Sequence, residues 1–134
     1  MEPAAHEGRV YEPKAKDLLI ISYGNGVLMS LRVAKKLEAE TGKNARVLDL
    51  RWLKPLNAEW MGKHAKECGK VLVVDEGRET GGIAEEIFAH LEEHAPGVTK
   101  KRVAGKDSYI PLASAANLIL LSEEEVYSAA RSLI

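Results

Sequence analysis

The sequence predicts an α/β domain built on a mostly parallel sheet with helices on both faces. Short runs of β-branched and apolar residues have the pattern of strands buried on two sides. Between them, apolar residues recur at the spacing of one helical face. Strand and helix patterns alternate along most of the 134 residues, which implies parallel pairing through right-handed crossovers.

Taken in order, residues 1–8 read as a tail or linker remnant and 9–134 as one domain. Arg9-Val10-Tyr11-Glu12 alternates polar and apolar and stops at Pro13, so a short edge strand is expected. Lys14 to Lys16 make the turn, and Asp17 to Ser22 form a fully apolar second strand; a hairpin would place the first strand antiparallel at an edge. Tyr23-Gly24-Asn25-Gly26 is a sharp turn into a helix whose apolar positions are Leu28, Leu31, Ala34 and Leu37, with Gly42 as its stop. Ala45 to Leu50 is a third strand. Pro55 forbids helix before it, and Asn57 caps a helix with Trp60 or Met61, His64, Ala65 and Cys68 inward and Gly69 at its end.

Val71 to Val74 then opens the stretch around which the chain is organised. A turn follows carrying Asp75, Glu76, Arg78, Glu79 and Thr80, and from Gly81–Gly82 a helix buries Ile83, Ile87 and Leu91 beside Phe88. Ala95-Pro96-Gly97 breaks that helix, and Val98 to Val103 is a Lys-rich strand expected at an edge. Gly105 to Pro111 is loop. Ser122 and Glu125 have capping-box spacing ahead of a last helix that buries Val126, Ala129, Ala130 and Leu133.

Composition narrows the function classes. With 46% hydrophobic and 29% charged residues, no apolar run of membrane-spanning length is present. The net charge of −1, both signs interspersed, lacks the basic face of a nucleic-acid binder. The first residues are polar and read without a signal peptide. A single cysteine, Cys68, excludes an internal disulfide framework and suits a cytoplasmic setting.

The candidate chemistry is sparse. Carboxyl ends of strands are where open α/β sheets meet ligands and partners, which singles out the ionisable cluster from Asp75 to Thr80. On the residues alone, capping of the turn and helix is the favoured account of Asp75 and Thr80. Gly24-Asn25-Gly26 lacks the third glycine of a dinucleotide fingerprint, Met29 standing in its place. His90 and His94 lie one turn apart near Glu86 and Glu93, but no third-ligand pattern accompanies them, and no metal site is assigned. Cys68 has no neighbouring base. Glu123, Glu124 and Glu125 form a negative patch at a helix start, either a solvated end or an electrostatic docking site. No catalytic constellation emerges from spacing.

The order of motifs nevertheless resembles one family. Asp17-Leu18-Leu19-Ile20-Ile21-Ser22-Tyr23-Gly24 is similar to its strand-and-turn motif, and Val47-Leu48-Asp49-Leu50-Arg51-Trp52-Leu53-Lys54-Pro55-Leu56 to its next segment. The block from Val73 to Ile87, with Glu76, Thr80, Gly81 and Gly82, and the loop from Val103 to Pro111 follow in the family's order. The family is the C-terminal domain of transketolase-like thiamine diphosphate enzymes. The nearest branch is the beta chain of the 2-oxo acid dehydrogenase decarboxylase component, of pyruvate or branched-chain type.

The resemblance implies a three-layer α/β/α domain with a mixed five-stranded sheet, its first strand antiparallel. It implies no cofactor in this chain, with thiamine diphosphate and magnesium held by other domains of a parent enzyme. The isolated chain, a fragment on this reading, would be inactive. Asp75, Glu76, Thr80, Gly81, Gly82, Asp107 and Pro111 would then lie at an active-site entrance or domain interface. Glu123, Glu124, Glu125 and Ile134 would lie toward a lipoyl acyltransferase core, and a dimer is implied. The chain departs from the pattern at Asp75, where histidine is common, at Asn57, where aspartate is usual, and from Leu112 to Ser122, which is short and apolar. A transketolase or deoxyxylulose-phosphate synthase domain, or a free-standing interaction module, are the alternative readings.

Overall fold

The structure, a computed structural model, describes residues 8–51, 56–78, 83–105 and 122–134, with backbone alone at 76–78 and 105. The strands are β1 (Arg9–Tyr11), β2 (Leu18–Ser22), β3 (Ala45–Asp49), β4 (Lys70–Arg78) and β5 (Thr99–Gly105). The helices are α1 (Asn25–Thr41), α2 (Ala58–Cys68), α3 (Ile83–His94) and α4 (Glu123–Leu133). One five-stranded sheet runs in the order β1-β3-β2-β4-β5. β1 lies antiparallel to β3, and β3, β2, β4 and β5 are parallel neighbours.

Every residue of β2 is buried, as expected for a central parallel strand covered on both faces. Side-chain alternation splits the interior into two cores. Leu19, Ile21, Leu48, Val71 and Val73 pack against Met61 and Ala65 of α2 and Ala84, Ile87 and Leu91 of α3. Leu18, Ile20, Val47, Leu72 and Val74 pack against Val33 and Leu37 of α1 and Val126, Ala129 and Ala130 of α4. These are the expected layers, with β1 and β5 at the edges.

Three details depart from the sequence expectation. First, β1 forms no hairpin with β2; it pairs with β3, Val10 opposite Leu48. Both sides of β2 are taken by parallel partners, so the half-exposed three-residue strand goes to the edge. Glu12, at φ 55°, turns the chain away, and Gly8 lets β1 close on β3: a Cβ there would lie 1.8 Å from the Asp49 carbonyl oxygen. Second, β4 continues through Asp75 and Glu76 to Arg78, because β5 carries the ladder on across an irregularity between Asp75 and Arg78. Third, the buried stripe of α1 is Gly26, Val27, Ser30, Val33 and Leu37, which leaves Leu28 57% exposed. The small Gly26 and Ser30 let the helix approach the sheet more closely than the Leu28–Leu31 side could.

The helix ends follow local chemistry. Asn57 accepts the Trp60 amide at 3.0 Å, and Ser122 accepts the Glu125 amide at 3.2 Å. Gly42 and Gly69 close α1 and α2 in the left-handed conformation, which glycine adopts without a Cβ penalty. Gly62 carries the crossing of α2 and α3. A Cβ at this position would stand 2.6 Å from the His94 Cβ. Gly62→Ala is expected to force the two helices apart and lower stability by about 1–3 kcal/mol, read as a lower urea midpoint in equilibrium unfolding.

Candidate functional site

The sheet has one switch point. From β2 the chain passes through α1 to β3 on one side, then through α2 back across to β4 on the other. α1 and α3, which follow the adjacent strands β2 and β4, therefore leave toward opposite faces. The crevice outside the carboxyl ends of two such strands is where open α/β sheets place their functional groups.

Ser22, Tyr23 and Asp75 meet there. Ser22, 1% exposed, donates its hydroxyl to the Val74 carbonyl at 2.8 Å, tying β2 to β4. Gly24 starts α1 at φ 57° and ψ −136°, a combination open to glycine. Gly26 must also be glycine, since a Cβ there would lie 2.2 Å from Ser22 Oγ. Tyr23 turns to the opposite face, where its hydroxyl donates to Asp75 Oδ1 at 2.5 Å. Asp75 Oδ2 accepts the backbone N–H of Ala84 at 2.8 Å, in the first turn of α3.

Asp75 is fully buried and is the one buried carboxylate among the described residues. A charge so placed is tolerated only when hydrogen-bonded, and a helix N-terminus is the favoured electrostatic partner for an anion. The arrangement uses both carboxylate oxygens to hold the turn after β2 and the start of α3 at fixed positions. It is a brace. No group of three or more His, Cys, Asp or Glu side chains among the described residues is arranged to hold a metal ion.

The other expected site residues fall as follows. Glu76 continues β4, and its side chain is outside the described structure. Thr80, Gly81, Gly82, Asp107 and Pro111 lie outside the described residues. Glu123, Glu124 and Glu125 open α4 on the face opposite Asp75, so the two groups do not form one site. Glu123 is ion-paired to Arg32 at 2.5 Å, and Glu125 bonds to its own cap Ser122 at 3.2 Å, while Glu124 is exposed. Ile134 is half-buried against the α1/α4 core.

Sequence reasoning missed Ser22 and Tyr23 as partners of the β4 end, since each is linked across 52 residues. It also missed Arg46, a charged residue of β3 that is 1% exposed. That residue contacts His64 on α2 and reaches toward Glu67. Beside it, the half-buried Cys68 thiol lies 3.7 Å from the Ala15 carbonyl. Burial pushes the Cys68 thiol up, with the Arg46 charge partly offsetting it.

A doubly wound α/β/α domain with a braced switch point is the class that this geometry defines. Residues 7–126 match the family described as transketolase, C-terminal domain, and the chain belongs to that family. It is 32% identical over 121 residues to the pyruvate dehydrogenase E1 component subunit beta of Bacillus subtilis, covering 88% of this chain and 37% of that protein. The corresponding subunit of Staphylococcus epidermidis is 28% identical over 124 residues, covering 90% of this chain and 38% of that protein. The chain thus spans well under half the length of these relatives. Among solved structures, a split-gene transketolase, an inactive beta4 tetramer, superposes with TM-score 0.79 at 28% identity, covering 95% of this chain and 41% of that one. The 2-oxoglutarate:ferredoxin oxidoreductase of Magnetococcus marinus shares the fold, with TM-score 0.65 at 18% identity over 92% of this chain and 19% of that one.

Two expectations follow. Asp75→Ala strips the Tyr23 hydroxyl and the Ala84 amide of this acceptor and should cost about 1.5–3 kcal/mol, against about 0.5–1.5 kcal/mol for Tyr23→Phe. Urea unfolding measures both, and amide exchange at Ala84 should accelerate in the first variant. For Cys68, the raised pKa means that the folded state disfavours the thiolate. Labelling at neutral pH should be slower than in the unfolded chain. The thiol's contribution to stability should be full at neutral pH and lost as pH rises above the unfolded thiol value of about 8.5.

Proposed function

We propose that this chain is the C-terminal, non-cofactor-binding domain of a thiamine diphosphate-dependent 2-oxo acid dehydrogenase of pyruvate or branched-chain type, working in the cytoplasm. The observation that carries the reading is the 32% identity to a pyruvate dehydrogenase E1 beta subunit across 88% of the chain. On this reading thiamine diphosphate and magnesium, which supply the decarboxylation chemistry, are held by the parent enzyme's other domains. Asp75 accepts a hydrogen bond on each carboxylate oxygen, from Tyr23 and from the Ala84 amide, which supports a bracing role for this domain.

The domain's own tasks are to brace a dimeric assembly, to line the active-site entrance and to dock a partner. The entrance would be formed by the β4 end and the two loops beyond it, through Asp75, Glu76, Thr80, Gly81, Gly82, Asp107 and Pro111. The start of α4, with Glu123, Glu124 and Glu125, and the chain end at Ile134 would face the lipoyl acyltransferase. Because Glu123 is already paired with Arg32, Glu124 is the carboxylate of the three best able to attract a basic segment.

A second reading is the same domain in a transketolase or deoxyxylulose-phosphate synthase, favoured by the superposition on a split-gene transketolase. Assay of the full-length parent separates them. Decarboxylation of a 2-oxo acid with acyl transfer to lipoamide supports the first, and ketol transfer between sugar phosphates supports the second. The 134-residue chain should show no heat of binding with thiamine diphosphate and magnesium by calorimetry; a saturable isotherm overturns the division of labour. In the docking reading, Glu124→Lys should slow association with a basic acyltransferase segment more at low than at high salt. Identical rates at low salt would remove that role.

A further inference from the structure

Helix α1 is closed on one flank. Toward α4, Arg32 pairs with Glu123, Glu40 with Tyr127 and Arg131, and Lys36 lies over the Tyr127 ring. On the other flank Leu28, Leu31, Lys35 and Glu38 recur at the three-four-three spacing along which one helix meets another. Leu28, at the head of that ridge, is 57% exposed and is the one exposed large hydrophobic residue among those described.

Beside the ridge runs a groove of about 480 Å³, between α1 and the turn that follows β1. Its floor is apolar, made by Leu31 and Ala34 of α1, Val47 of β3 and Tyr11 of β1. The wall facing α1 is set in advance. Pro13 takes the second position of a turn in which the Ala15 N–H donates to the Glu12 carbonyl at 3.0 Å. Glu12 and Lys14 line the groove from that turn, and Lys35 and Glu38 line it from the helix.

Each wall therefore carries one acid and one base. All four side chains are exposed, and none has an ion-pair or hydrogen-bond partner among the described residues. A rim of one sign calls for a partner of the other sign. A rim with both signs on both walls, next to an exposed apolar ridge, has the pattern of a two-fold interface, where one patch must serve on both subunits.

We propose that a second copy of this chain docks in this groove, each α1 laying its ridge along the groove of the other copy. Leu28 and Leu31 of one copy then cover the apolar floor of the other, which removes apolar surface from water. Lys35 and Glu38 of one copy meet Glu12 and Lys14 of the other, and such charge pairs fix register and partner choice. The proposal rests on the dimeric assembly proposed above and gives it a surface.

Sedimentation velocity of the 134-residue chain from about 1 to 300 µM, the span of weak association, is the test. The unmodified chain should pass from monomer to dimer in that range. Leu28→Glu, and the paired swap Lys35→Glu with Glu38→Lys, should each raise the dissociation constant about tenfold or more. Adding Glu12→Lys with Lys14→Glu to the swap should restore the original value, since net charge stays constant and the pairs are re-formed. A chain that is monomeric throughout overturns the proposal. A dimer that ignores the groove variants overturns this surface without touching the dehydrogenase reading, which the assay of the full-length parent decides. Should a variant not fold, amide exchange of the unmodified chain at the two ends of the concentration range decides. Protection must rise along α1 and at the turn over 12–15 as the dimer forms, and a rise confined to other elements overturns the surface.

Discussion

The carboxylate of Asp75, in the C-terminal half of β4, is fully out of water, and a charge there has to be matched by hydrogen bonds. The match comes from two directions. Tyr23 reaches in from the turn after β2, and the first turn of α3 presents the Ala84 amide. The two crossovers leaving the switch point are thereby pinned to one atom group. Ser22, on the other side of β2, adds the bond to the Val74 carbonyl. The geometry of the crevice follows from these bonds together with the close approach that Gly26 permits.

That constraint also explains the chemistry the crevice favours. A carboxylate accepting hydrogen bonds on both oxygens at the start of a helix is a good anchor. The domain belongs to the transketolase C-terminal family and is similar to part of pyruvate dehydrogenase E1 beta subunits. The start of α4 fits a similar pattern. Arg32 neutralises Glu123, Lys36 lies over the Tyr127 ring at 4.3 Å, and Arg131 approaches Glu40 at 3.7 Å. Charges on that face mostly hold α4 to α1.

Much of this was legible in the sequence, and the failures have physical causes. Apolar runs marked β2, β3 and the start of β4 because burial on both faces demands them. Asn57 and Ser122 were readable as caps because a cap is a contact across three residues. The partner of β1 was not readable: adjacency in sequence suggested β2, whereas the sheet order gives β3. The stripe of α1 was misplaced by one position because hydropathy ranks Ser30 as polar and ignores how closely Gly26 lets the helix approach. Asp75 was legible as a cap, but its tyrosine partner lies 52 residues away. The Arg46 cluster spans β3, α2 and the loop at Ala15, and local pattern carries no trace of such a union.

The central claim is that Asp75 braces rather than reacts. The pH dependence of kcat in the full-length parent enzyme, measured for Asp75 and for Asp75→Asn, tests it most directly. If the claim is right, the variant has a lower unfolding temperature and an altered rate, but the profile keeps the same limbs and inflections. Loss of an ionisation from that profile, with the fold intact, would contradict it.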